Sequence, residues 1–270
     1  MNRGVNRQTV FFGDDDRVEF GRRLADIHGR FGVETLAYCL LDNHYHVLLR
    51  TPDGALSEAM HRLGSLYTRH TNDRVGRDGP LFRGRFHSLH VTTDAYLLMA
   101  TRYIHRNALE VHNVRSIADY RWSSYRAYTA QRMTPSFMRT DIVLDNFGGE
   151  RADFAEFHLA DDSLHESRIR PRSMSELKQL IQFVLADDDL HHGDDASPPP
   201  WRDRTLLVLL LTRPEGTSWL PELESELAFA SADAKRMAIS RAKKRRDTDP
   251  AIARAERALS RLLSRRPPAA

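Results

Sequence analysis

Glu34-Thr35-Leu36-Ala37-Tyr38-Cys39-Leu40-Leu41-Asp42-Asn43-His44-Tyr45-His46-Val47-Leu48-Leu49-Arg50 is the stretch on which the fold turns. Its first half is a short continuous apolar run, which suits a strand covered on both faces. Asp42-Asn43 is a turn signal, and His44 to Arg50 then alternates, so residues 34–50 read as a β-hairpin. Upstream, Asp16 to Phe31 has helical spacing, with Val18, Leu24, Ile27 and Phe31 on one side and Asp14 to Asp16 at the cap. Downstream, Ala55 to Asn72 is amphipathic, with Leu56, Met60, Leu63, Leu66 and Tyr67 expected on the buried side. Leu81 to Val91 reads as a strand and Asp94 to Leu109 as a helix. One more strand at the front completes a βαββαβα order, an α+β, ferredoxin-like plan of an antiparallel sheet backed by helices. The chain opens Met1-Asn2-Arg3-Gly4, already at a turn, so that first strand reads as truncated, and a misplaced start codon is the simplest explanation.

Residues 1–130 are expected to form this compact unit and residues 131–186 a helical extension. Residues 187–200, with five Asp and three consecutive Pro, are expected to be a linker. Residues 201–270 read as a small all-α module: helices over Arg202 to Thr212, Leu220 to Phe229, Ala232 to Arg246 and Ala251 to Arg265, with Pro221 in a first turn. Charge separates the module from the body. Of 270 residues with formal net charge +3, the last forty hold 12 Lys and Arg against 4 Asp and Glu, a net of +8, leaving −5 on the rest. A basic helical terminus suits a helix-turn-helix contact with nucleic acid, through Arg241, Lys243, Lys244, Arg245 and Arg246. A solvated face of a plain bundle is the competing reading. The longest apolar run, such as Leu206 to Leu211, is six residues, so no membrane span or membrane partner is expected. Cys39 is the one cysteine, which excludes an intramolecular disulfide framework and a cysteine-based zinc cluster. With no secretory pattern at the front, a cytoplasmic, nucleoid-associated location is expected.

Three short patterns carry potential chemistry. His44-Tyr45-His46 places two imidazoles on one face of a strand, where they can hold a divalent metal from one side. Two unrelated sheet histidines would give the same triplet. Tyr103 and Asn107 lie four apart on one helix face. A phenol is a competent nucleophile toward a metal-polarised phosphodiester, and an amide oxygen can complete a two-imidazole ligand set. A packed tyrosine and a helix-ending asparagine are the structural alternative. In Leu81-Phe82-Arg83-Gly84-Arg85-Phe86, two arginines alternate with aromatics, as on a nucleic-acid surface or as on a solvated edge strand. Trp122-Ser123-Ser124-Tyr125 carries no chemistry in its spacing; packing and a helix cap account for it.

Taken in order, Asn2-Arg3-Gly4 with Asn6-Arg7-Gln8, Asn43-His44-Tyr45-His46-Val47-Leu48-Leu49, Phe82-Arg83-Gly84-Arg85-Phe86, Tyr103-Ile104-His105-Arg106-Asn107 and Trp122-Ser123-Ser124-Tyr125 resemble the REP-associated tyrosine transposases, in the single-tyrosine branch of the HUH nuclease superfamily. The resemblance covers about residues 2–130 and continues loosely to about 160; the tail looks like helical DNA-binding modules appended to some members. It implies that His44, His46 and Asn107 bind Mg²⁺ or Mn²⁺ and that Tyr103 is the nucleophile. It implies cleavage and rejoining of single-stranded DNA at hairpins through a 5′-phosphotyrosine link, by a monomer or homodimer. The other function considered is a domesticated hairpin-binding protein or regulator with weak or lost catalysis. The chain departs from the family in its front strand and in Ala108, where the family usually has proline.

Overall fold

The computed structural model describes residues 1–159, 173–192, 201–213 and 220–263. The chain divides into two units, Met1–Leu159 and Ala160–Ala270.

The hairpin forms where the sequence places it: β2 spans Glu34–Leu41 and β3 spans His44–Arg50, antiparallel, with Cys39 opposite His46 and Leu41 opposite His44. The front strand is present as two residues, β1 (Asn2–Arg3), which pairs with β3 to give the order β1-β3-β2. Leu81 to Val91 does not form the expected strand. The chain beside β1 makes one bridge, Gly4 to Phe82, and scattered backbone bonds, Val5 N–H to Leu81 O at 3.0 Å and Arg83 N–H to Arg3 O at 2.9 Å. The pairing is interrupted at Gly84, whose carbonyl accepts from Asn2 Nδ2 at 3.1 Å, a side chain occupying the place of a strand amide. It resumes between Met1 and His87, where His87 N–H donates to Met1 O at 3.0 Å and the Met1 amino group to His87 O at 2.8 Å. The other sheet edge, along β2, is covered by Trp122 to Ser124. Leu40 N–H donates to Trp122 O at 3.0 Å and Ser124 N–H to Tyr38 O at 2.9 Å. An edge whose amides are occupied offers no template for another chain.

Helices pack on both faces. On one, α1 (Asp14–Phe31) and α2 (Leu56–Val75) meet Tyr45: the Phe20 and Tyr45 ring centroids are 4.6 Å apart and those of Phe20 and Tyr67 5.2 Å. The inward stripe of α1 runs through Phe20, Leu24 and Ile27, and Val18 is 42% exposed rather than buried. Six residues before Leu24, Val18 points about 240° around the helix, outside the stripe. Asp16 caps α1, accepting from Phe12 N–H at 2.6 Å and Gly13 N–H at 3.1 Å, and holds Arg74 of α2 through both oxygens. Buried, with four donors, this carboxylate ties the two helices together.

On the other face lies α3 (Asp94–Arg106), capped by Thr93 Oγ1, which accepts from Tyr96 N–H at 3.2 Å. The helix ends at Arg106, three residues short of the expected stop at Leu109, and a 3₁₀ turn over Asn107–Glu110 follows. The first unit includes α4 (Tyr125–Tyr128) and continues past residue 130 through α5 (Asp141–Leu144) and α6 (Arg151–Leu159). Tyr128 stacks on Phe154 at 4.4 Å and 9°, a contact that joins the expected unit to part of the expected extension.

The second unit is helical: α7 (Met174–His192), α8 (Trp201–Leu210), α9 (Leu220–Leu227), α10 (Ala232–Thr248) and α11 (Pro250–Leu263). Helix α7 extends to His192, six residues into the stretch read as linker; residues 193–200 of that stretch lie outside the described residues, as do the last two residues of the helix expected to end at Arg265. Leu177, Ile181, Leu206, Leu209, Leu223, Ile252 and Leu259 are among its buried apolar residues. Pro250 opens α11 at a position that has no amide to lose, and Asp249 accepts from Ala251 N–H at 2.9 Å.

Candidate functional site

His44 and His46 are two apart on β3 and share a face, opposite that of Tyr45. Both are buried, at 4% and 5% exposure. Their ring centroids are 5.1 Å apart at 78°, edge to face. The face is the one α3 covers, and the Tyr103 ring comes edge-on to His46 at 5.4 Å and 82°. Asn107, 2% exposed, follows one helical turn later at the start of the 3₁₀ turn. Its Nδ2 donates to Tyr103 O at 2.8 Å, which turns its Oδ1 away from the helix; that oxygen is buried and has no hydrogen-bond partner.

The helix that carries Tyr103 and Asn107 is held in place by His105, which lies between them in sequence and is fully buried. His105 Nε2 stands 2.7 Å from Ser124 Oγ, and Ser124 Oγ in turn accepts from Tyr38 N–H at 2.9 Å. Burial, with the neighbouring His158, holds the His105 imidazole well below its ordinary pKa. His158, whose ring stands 5.0 Å away, is pushed down to about 3, chiefly by burial. Sequence reading gave the Trp122 to Tyr125 stretch packing and a helix cap and assigned His105 no role; the spacing of a histidine midway between Tyr103 and Asn107 was the available signal.

The chemistry available to a metal follows from the donor types. Two imidazoles and an amide oxygen form a nitrogen and oxygen set that suits a borderline or hard divalent ion. The partnerless, buried Asn107 Oδ1 fits such an ion. Cys39, opposite His46, does not add a thiolate, because burial raises its thiol above its usual range. Among the described residues, no three His, Cys, Asp or Glu side chains gather as a ligand cluster.

The arginines sit differently from the expectation. Arg83 is half-buried and Arg85 exposed, on a loop beside β1 rather than on a strand. Phe82 is 7% exposed and packs its ring against Tyr45 at 5.7 Å, so it belongs to the core and is not a stacking platform. In the second unit, Arg241, Lys243, Lys244 and Arg245 are exposed on α10, and Arg246 is half-buried and paired with Asp247 at 2.7 Å. Helix α10 buries Ala242 and leaves its long sides to solvent. Among the described residues, no helix is long and apolar enough to cross a membrane.

A tyrosine on a helix packed edge-on to a two-histidine strand is an arrangement suited to phenol attack on a phosphodiester. Residues 1–107, which contain all four of these side chains, match the family model of transposases described as IS200-like, 107 of the 270 residues. The match supports the transposase family for this part of the chain. No curated protein and no solved structure matches the chain.

Proposed function

We propose that the first unit is a metal-dependent single-strand DNA endonuclease and strand transferase of the REP-associated tyrosine transposase type. The observation that carries this reading is the His46 ring standing edge-on to both His44 and Tyr103, which unites a strand and a helix that are fifty-odd residues apart in sequence. His44, His46 and Asn107 would hold Mg²⁺ or Mn²⁺. Such an ion, when bound, polarises a phosphodiester and stabilises the charge that develops on its oxygens.

The remaining work falls to the chain. Tyr103 Oη attacks phosphorus, forming an O–P bond and breaking the bond from phosphorus to the 3′-oxygen. The phenol proton leaves to solvent, and the departing oxygen takes up a proton to become a 3′-OH. The DNA is then attached through a 5′-phosphotyrosine. Because the displaced bond has been exchanged for another phosphodiester, a 3′-OH from a second strand can reverse the step and rejoin the DNA without an external energy source. Arg83 and Arg85 beside β1, and Arg241, Lys243, Lys244, Arg245 and Arg246 on α10, are proposed phosphate contacts, which give affinity and register but not base specificity.

The test is incubation with single-stranded hairpin DNA from the sequence flanking the gene and Mn²⁺, followed by denaturing electrophoresis. A covalent protein–DNA species that is lost in EDTA is expected. Hairpin binding with no adduct under any divalent metal would instead support a regulator that has lost catalysis.

A further inference from the structure

We infer that Asn43 is a positioning residue, whose amide fixes the tautomer of His44 so that Nε2 carries the lone pair. The inference rests on the metal-binding reading of His44 for its consequence, though not for its geometry.

The protonation pattern follows from two contacts. Asn43 Nδ2 lies 3.2 Å from Arg7 O. A carbonyl oxygen only accepts, so this end of the amide is the NH₂. The other end, Oδ1, lies 2.7 Å from His44 Nδ1. An amide oxygen also only accepts, so Nδ1 is the donor and holds the hydrogen. A neutral imidazole has one N–H. Nε2, which is shielded from solvent on the Tyr103 side of the sheet, is therefore the nitrogen with the lone pair. A metal-binding histidine needs this arrangement: one nitrogen hydrogen-bonded to an acceptor that fixes ring and tautomer, the other available to the ion.

The loop ahead of α1 aims the amide. Asn6 and Arg7 both adopt left-handed backbone, with φ of 50° and 57°, which turns the Arg7 carbonyl back toward the hairpin. Gly4 N–H donates to Asn43 O at 2.9 Å, so the loop and the hairpin turn hold each other from both sides. Gly4 lets the loop fold back closely on Gln8, since a Cβ there would collide with Gln8 O. Asn43, read from sequence as a turn residue alone, thus links the Asn2 to Gln8 motif to His44.

The experiment is a long-range ¹H–¹⁵N spectrum of histidine-labelled, metal-free full-length protein at a pH where the imidazole is neutral, with His44 assigned through a His44→Gln variant. The wild type is expected to show the Nδ1–H form at His44. Asn43→Asp keeps an acceptor and should keep that form. Asn43→Ala should move His44 toward the Nε2–H form and weaken Mn²⁺ binding, measured by titration without DNA, by roughly 10- to 100-fold, as for other residues that orient a ligand. A wild-type His44 in the Nε2–H form overturns the inference, and so does an Asn43→Ala variant with unchanged tautomer and Mn²⁺ affinity. If Asn43→Ala does not fold, the wild-type and Asn43→Asp spectra still decide. A wild type that binds no Mn²⁺ while the tautomer follows residue 43 overturns the metal reading and supports the role of Asn43.

Discussion

Tyr103 bears the heaviest chemical assignment and makes a limited structural contribution, since it is only half-buried. Tyr103→Phe removes one oxygen and keeps the ring that meets His46, so we expect stability within about 1 kcal/mol of wild type, as for near-isosteric replacements. The covalent DNA adduct should disappear. An adduct retained in this variant and mapped by mass spectrometry to another tyrosine would refute the assignment. His158 has the opposite character, a structural group with a large electrostatic consequence. Its pKa of about 3 in the folded chain against 6.5 otherwise means that the unfolded chain binds a proton which the folded chain refuses between those values. Stability is therefore complete above about pH 6.5 and is lost as pH falls toward 3, at up to about 1.4 kcal/mol per pH unit from this residue. His158→Gln should lower stability at pH 7.5 by removing a ring that packs 3.9 Å from Phe154, and should also flatten the decline between pH 6.5 and 4.5. Denaturant midpoints that fall in parallel for both proteins over that range would exclude His158 as the source.

At the scale of elements, the site depends on a sheet whose two edges are closed by segments that are not strands. The β1 side is the more delicate, because two residues of strand and one close-packed loop hold it. Gly4→Ala drives a methyl into Gln8 O and to 2.9 Å from Val10 Cγ1, both fixed neighbours rather than flexible tips. Overpacking of this kind costs about 1–3 kcal/mol. Thermal unfolding should show the loss, and a Gly4→Ala protein as stable as wild type would mean that the loop shifts freely. These elements also mark how far the sequence could be read. The hairpin, α1, α2 and α3 were legible because apolar period and turn residues coincide at Asp42-Asn43 and along Leu24, Ile27, Met60 and Leu63. His44, His46, Tyr103 and Asn107 were legible as separate pairs by spacing, and their joining into one site only through the resemblance to the transposases. Leu81 to Val91 misled because alternation of Phe and Arg records side-chain character and not whether a neighbouring strand offers enough amides. The edge cover by Trp122 to Ser124 was not legible, since it depends on contacts across the fold, and neither was the Asn43 to His44 bond, which joins neighbours in sequence but is aimed by the distant Arg7 carbonyl.

Taken whole, the molecule separates a unit that holds all four proposed active-site residues from a helical unit whose last forty residues carry a net charge of +8. The first unit runs to Leu159 because Tyr128, Phe154 and His158 bind the chain after residue 130 into its core. Such a division predicts that affinity and chemistry respond to different residues. Arg241, Lys243 and Lys244 are exposed along α10, whose burial is confined to Ala242, so replacing all three by Gln should leave the fold of the helix intact. Each cation seated on a DNA phosphate releases counterions, and the slope of log affinity against log salt falls by roughly 0.7 to 0.9 for each such cation removed. If all three lie on phosphates, the slope should shrink by about 2, with weaker binding at low salt. Cleavage of saturating single-stranded DNA should proceed at the wild-type rate, since His44, His46, Tyr103 and Asn107 all belong to the first unit and are unaltered. Identical salt slopes for the two proteins would make α10 a solvated face. A slower cleavage step at saturating DNA would mean that the second unit acts on the chemistry itself, and the assignment of affinity to one unit and catalysis to the other would fail.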